Sequence, residues 1–402
     1  MIVFMLVLLP DVPAQSLEDL LITAADNNLE LKALHNDYLA ANERAPQVSE
    51  LPDPVVGVGI FGPETRVGPQ AVRVGASQMF PWKGTLHARE EVALTMAQAT
   101  YERIEVAKLN LFFQVKQAYF QLYELLQSRE IVTRNLRIFE ALERFTLAKV
   151  ANGKGSTADV LRVQLKIKEL QKELDLLQNL SKKPIASLNQ VLNRPLNTPV
   201  SLTDSLELST IPYNKDTLAA HLQNFHPLIR MFSTQQLASE KAIELNHLEG
   251  KPSFGVGVDY IFVSKRHGLE IDDNGKDMLM PMASVKVPLF RNKYSAKRKE
   301  EELKIISLDH QIRDTQLKFL SIIEQAYADW EDAAIRIQLY QDLIQTTQRT
   351  IDILETEYST AGRNFDEWLR LQSELVNYDL KMLQAVVKSH LAKAMIERFV
   401  IL

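Results

Sequence analysis

From Thr85 to Val150, and again from Asn292 to Thr360, the sequence contains neither proline nor glycine. Those two residues ordinarily end or weaken helices, proline by removing a donor and glycine through backbone entropy. Uninterrupted helix over such a stretch of ~65 residues, at 1.5 Å per residue, reaches on the order of 100 Å. Composition agrees: the chain has 14 glycines in 402 residues, about half the usual share of roughly 7%.

The chain also repeats itself. Ala118-Tyr119 opens a helical stretch that ends in Leu161-Arg162-Val163-Gln164, and Ala326-Tyr327 opens one that ends in Leu369-Arg370-Leu371-Gln372. The offset is 208 residues at both ends. Upstream, Phe80-Pro81 corresponds to Val287-Pro288. Gly57-Val58-Gly59 corresponds to Gly255-Val256-Gly257 at an offset of 198, so the second half carries a longer insertion between its strands. Each half reads as helix, strand, loop, strand, long helix, turn, long helix. The expected organisation is a signal peptide over 1–14, a first repeat over 15–194, a linker over 195–216 and a second repeat over 217–402.

The strands are read from period-two alternation. Val72, Val74 and Ala76 share one face while Arg73, Gly75 and Ser77 share the other. Phe254, Val256, Val258, Tyr260 and Phe262 oppose Gly255, Gly257 and Asp259, and Ser284 and Lys286 lie opposite Ala283, Val285 and Val287. Four strands of about 8–11 residues are long enough to cross a bilayer when tilted. They cannot close a barrel alone, and lipid tolerates no open edges, so a membrane reading requires an oligomer sharing one barrel. A small soluble β-layer capping a helical domain is the alternative.

Steps of three and four mark coiled-coil seams in the return helices: Val163, Ile167, Leu170, Leu174 and Leu177 in one, and Trp368, Leu371, Leu375, Tyr378, Met382 and Ala385 in the other. Pro184 should kink or end the first of these. Apolar residues off the seam, including Leu111, Phe112, Phe113, Phe120 and Tyr123, call for helices packed on two neighbours at once.

The first nine residues form an apolar run, and Val12 and Ala14 suit a signal-peptidase cut before Gln15, although no basic residue precedes the run. No other apolar run reaches ~18 residues, so any membrane crossing is expected to be by strands. A net charge of −5 gives no general reason to bind nucleic acid. Zero cysteines exclude disulfides, thiolate metal sites and a cysteine nucleophile, and leave no thiol for a lipid anchor. Eight scattered histidines form no ligand array, and no catalytic fingerprint occurs, so neither enzyme activity, metal centre nor cofactor is expected.

At the turns between long helices the residues resemble a known family. Gly153-Lys154-Gly155-Ser156-Thr157-Ala158-Asp159-Val160-Leu161-Arg162-Val163-Gln164 is similar to the hairpin-tip signature of TolC-type outer-membrane efflux proteins. Gly362 to Gln372 is a divergent copy, one residue shorter between Gly and Leu. Phe80-Pro81-Trp82 and Val287-Pro288-Leu289-Phe290, each leaving a strand for a long helix, also resemble that family. The resemblance runs from Ser16 to Phe399.

It implies a mainly α chain with a small β part: long antiparallel coiled-coil hairpins forming an α-barrel, and four transmembrane strands contributing to a 12-stranded trimeric β-barrel. It further implies a homotrimer in outer-membrane lipid of a Gram-negative bacterium, with a large periplasmic extension and an equatorial belt from the linker and C-terminal segments. The function implied is a passive exit duct, docked to a periplasmic adaptor and an inner-membrane efflux transporter in a tripartite pump, for heavy-metal ions or small toxic compounds. A soluble periplasmic coiled-coil adaptor or scaffold is the second reading. Adaptors, however, usually carry a single hairpin.

In the resemblance, Glu367, Asp366 and Asp159 are the tip carboxylates of the pore gate, and Tyr358 and Arg363 match its tyrosine and arginine. Arg370 stands where a second acid would be expected. Arg73, Ser77, Asp259, Ser284 and Lys286 would line the barrel lumen. Three residues separate Ser156 from Asp159, which also suits a simple capping box. Met278, Met280 and Met282 suit an apolar barrel rim, with soft-metal binding as the alternative. Asp272-Asp273-Asn274-Gly275 reads as a hairpin turn.

Overall fold

The structure is a computed structural model describing residues 15–399, except 61, 203, 213, 216, 219, 221–224, 269–271 and 362. The proposed signal peptide therefore lies outside the described residues, as do Asp216, His221 and Gly362. The described helices are α1 (Leu17–Asn27), α2 (Leu29–Asn42), α3 (Arg44–Ser49), α4 (Thr85–Ala151), α5 (Thr157–Leu180), α6 (Lys182–Val191), α7 (Pro227–Glu249), α8 (Asn292–Ala361) and α9 (Phe365–Glu397). The strands are β1 (Val55–Ile60), β2 (Glu64–Thr65), β3 (Gly68–Phe80), β4 (Ser253–Val263) and β5 (Met278–Lys286). The two breaker-free stretches are single helices of 67 and 70 residues. No described helix is long and apolar enough to cross a membrane.

Two compact units divide the chain. Among the described residues, one comprises those within 15–32, 105–226 and 316–399, the other those within 33–104 and 227–315.

The first unit contains both hairpins. Val163, Ile167, Leu170 and Leu177 of α5 and Trp368 and Leu375 of α9 are buried in one cluster with Val132, Phe139 and Leu142 of α4 and Ile351, Leu354 and Tyr358 of α8. The seams read from the sequence thus face each other across all four helices. The off-seam residues also find partners: Leu111, Phe120 and Tyr123 join a second cluster with Leu20, Leu188 and Val387. The first return helix breaks at Ser181, three residues before Pro184. Pro184 thereby falls in the first turn of α6, where a missing N–H costs no hydrogen bond.

Most of the linker lacks regular structure and is pinned to the helices by polar contacts. Asp204 accepts a hydrogen bond from the Tyr119 hydroxyl, Leu206 N–H donates to the Tyr123 hydroxyl, and Ser209 donates twice to Ser389, from its N–H to Oγ and from its hydroxyl to the carbonyl. Trp330 Nε1 donates to the Ser209 carbonyl at 2.8 Å.

In the second unit α7 is tied to the first turns of α4 and α8 by Arg89–Glu249 and by Asn246 donating to the Tyr294 carbonyl. The antiparallel sheet has the order β1-β3-β4-β5, with β2 paired to β3. β4 pairs with β3 and β5, joining the two repeats in one sheet. β1 has only six described residues, fewer than expected, whereas β3 has 13. In the insertion between β4 and β5, Asp273 and Gly275 adopt positive φ and Asn274 exchanges hydrogen bonds with the Arg266 backbone, forming the expected turn.

Candidate functional site

Register sorts the sheet into two chemically opposite faces. On one lie Val56, Val58 and Ile60 of β1, Val74 of β3, Phe254, Val256, Val258, Tyr260 and Phe262 of β4, and Leu279 and Val285 of β5. All are exposed. A contiguous apolar surface made of these side chains requires a covering partner or an apolar medium.

The opposite face carries every residue expected in the lumen. Arg73 forms an ion pair with Asp259, which is 2% exposed. The pair is possible because Asp259 lies opposite Gly75, whose missing side chain leaves room for the carboxylate: a Cβ there would approach Asp259 Oδ1 to 1.9 Å. Ser77, Ser284 and Lys286 share this face by register.

Met278, Met280 and Met282 also belong to the Arg73–Asp259 face. Met79 joins them. Its sulfur lies over Gly255 and accepts from Ser284 Oγ at 3.8 Å, and Met282 Sδ is 3.5 Å from an Arg73 nitrogen. Alternation along β5 isolates one methionine run and passes over Met79, because pairing across three strands sets the company a side chain keeps.

At the hairpin tips, a single arginine links two of the expected gate carboxylates. Arg162 Nη1 is 3.1 Å from Asp159 and 2.7 Å from Asp366. Glu367 is 3.3 Å from Arg370, which also binds Glu374 at 2.7 Å. Each tip acid thus carries a nearby cation from its own chain. Arg363 is exposed, beside Asn364 with its left-handed φ of 65°.

Tyr358 is 1% exposed, its ring packed against Phe145, Phe365 and Trp368. Burial raises its pKa, with the nearby Asp159 carboxylate adding to the effect. The hydroxyl approaches that carboxylate but is buried without a hydrogen bond of good geometry. The capping-box expectation fails: Ser156 Oγ accepts from Ala158 N–H, and the Asp159 carboxylate is engaged by Arg162.

Lys149, which no sequence signal singled out, closes this cluster. Its ammonium donates to the Tyr358 and Ser359 carbonyls in the last turn of α8 and lies 4.5 Å over the Tyr358 ring and 5.5 Å over that of Phe145. A helix C-terminus presents unpaired carbonyls and partial negative charge, both of which suit an ammonium. Among the described residues, no cluster of three His, Cys, Asp or Glu could hold a metal ion.

Residues 22–194 match the family described as outer membrane efflux protein. Over those residues the chain is similar to the outer membrane efflux protein family. Solved structures extend the likeness in fold over nearly the whole chain. The CusC channel aligns at a TM-score of 0.77 with 15% identity, covering 94% of this chain and 90% of CusC. VceC of Vibrio cholerae aligns at 0.74 with 15% identity and 95% coverage of both chains. The open-state MtrE outer membrane channel of Neisseria gonorrhoeae aligns at 0.75 with 16% identity, covering 95% and 88%. No curated protein matches in sequence. The family is one of efflux ducts rather than of enzymes.

Proposed function

We propose that the chain is the outer-membrane exit duct of a tripartite efflux pump in a Gram-negative bacterium. The observation carrying this reading is the two-faced sheet, with an exposed apolar face opposite one bearing Arg73, Asp259, Ser284 and Lys286. That division is the lipid-out, polar-in pattern of a membrane barrel. The outer edges of β1 and β5 have no partner among the described residues, so closure in lipid calls for copies of the same chain. Three copies give the 12-stranded barrel, and the paired hairpins give a periplasmic tube for an adaptor and an inner-membrane transporter. The repeats over 15–194 and 217–402 are its two structural halves, joined by a linker at 195–216.

Glu367, Asp366, Asp159, Arg363 and Tyr358 are the gate at the periplasmic mouth. Cargo is heavy-metal ions or small toxic compounds, and the thioethers on the lumen face, being soft ligands, support the first. The sheet also argues against the soluble adaptor reading, because water would leave its apolar face uncovered. Fractionation tests the choice: extraction only with detergent, as a heat-modifiable trimer, supports the duct, and release with periplasmic contents refutes it.

A further inference from the structure

Where the sheet hands over to the long helices, the second unit forms an open recess of about 790 Å³ lined by Trp82, Thr85, Lys251, Lys286, Phe290 and Lys293, among others. Three features give the recess the chemistry of a binding site. Lys251 and Lys293 have no carboxylate within ion-pair distance among the described residues, whereas neighbouring Arg89 is paired with Glu249 and Lys297 with Glu300 and Glu301. Thr85 is 2% exposed, and its hydroxyl has no hydrogen-bond partner. It also opens α4, whose N-terminus favours an anion. Finally, the rim is apolar and exposed: Leu289 and Phe290 are 77% and 84% exposed, and Trp82 contacts Phe254 of the outward apolar face. Lys251 lies 5.6 Å over the Trp82 ring.

Uncompensated ammonium groups with an idle buried hydroxyl call for an oxyanion, and continuity with the apolar sheet calls for hydrocarbon beside it. We propose that this recess binds the phosphate of an anionic phospholipid, such as phosphatidylglycerol, whose acyl chains lie along the outward face of the sheet. Lys251 and Lys293 supply the charge and Thr85 a hydrogen bond. Trp82 and Phe290 take the interfacial position between headgroup and hydrocarbon. The site rests on the membrane reading above and adds a lipid preference to it.

The test is native mass spectrometry of the detergent-purified full-length protein after exposure to phosphatidylglycerol or phosphatidylethanolamine vesicles. Phosphatidylglycerol should be retained preferentially. The double variant Lys251→Gln/Lys293→Gln should weaken that retention on the order of tenfold, and Lys276→Gln, in the loop between β4 and β5, should not. Equal retention of the two lipids, or unchanged retention in the double variant, overturns the proposal. Displacement of the lipid by millimolar inorganic phosphate also overturns it, since that identifies a free-phosphate site. If the double variant fails to assemble, Thr85→Val keeps all charges in place: reduced retention supports the proposal and unchanged retention overturns it. Insertion into neutral phosphatidylcholine vesicles, measured separately, reports on the duct reading alone.

Discussion

Replacing Lys149 by methionine should loosen the hairpin tips without unfolding the helices behind them. The substitution keeps an unbranched stem and removes the ammonium that caps the Tyr358 and Ser359 carbonyls and stacks on two aromatic rings. Hydrogen bonds from a charged donor contribute ~1.5–3 kcal/mol and a cation–π contact at a partly exposed site ~0.5–1 kcal/mol. Lys149 is half-buried, so solvent screens part of this, and a loss of about 2–3 kcal/mol is reasonable. Local opening should then rise roughly 30- to 150-fold. Native-state amide hydrogen exchange is the assay, because it resolves local opening from global stability. Exchange at the end of α8 should accelerate by that factor while amides near the linker keep their protection. Acceleration below about threefold would refute the assignment of Lys149 as the latch between the hairpins.

The ion pairs at the tips lead to a second expectation, about conduction. In the proposed trimer, three symmetry-related Glu367 carboxylates around a narrow mouth would attract multivalent cations, and Arg370 would partly neutralise each. Block by a trivalent cation should weaken in Glu367→Gln and strengthen in Arg370→Gln, read from single-channel recordings. Equal block in all three proteins removes Glu367 from the gate. A third expectation concerns pH. Burial lowers the His390 pKa, although the Glu207 carbonyl 2.8 Å from its Nε2 opposes the shift. The unfolded chain therefore takes up a proton below about pH 6.5 that the fold resists, and stability falls as pH drops through that range. Burial raises the pKa values of Glu124 and Asp379, which pulls in the opposite sense at and above the ordinary carboxylate range. Thermal melting at pH 7.5 and 5.5 should show a smaller difference in His390→Gln than in the unaltered protein.

Much of this architecture is legible in the amino-acid sequence, because its signals are periodic and local. Breaker-free runs set α4 and α8 to within a residue or so of their ends, and alternation places Arg73 and Asp259 on the polar faces of separate strands. What stays hidden depends on pairing between distant segments. Nothing near Asp259 in sequence shows that Gly75 faces it across the sheet, or that Met79 joins the methionines of β5. Arg162 illustrates the same limit at the tips: local spacing suggests that Asp159 caps a helix, whereas an arginine one turn on holds it and reaches Asp366 as well. Lys149 and Tyr358 are 209 positions apart, and only packing of one hairpin on the other brings them together. The recess at the sheet's end depends likewise on lysines from three separate segments.

Reconstitution of the purified full-length protein into a planar lipid bilayer tests the central claim most directly. Discrete current steps from a detergent-extracted trimer are predicted, as follows if the polar face bearing Arg73, Asp259 and Lys286 lines a water-filled barrel as proposed. A protein that stays monomeric and soluble without detergent, and gives no current steps, would contradict it.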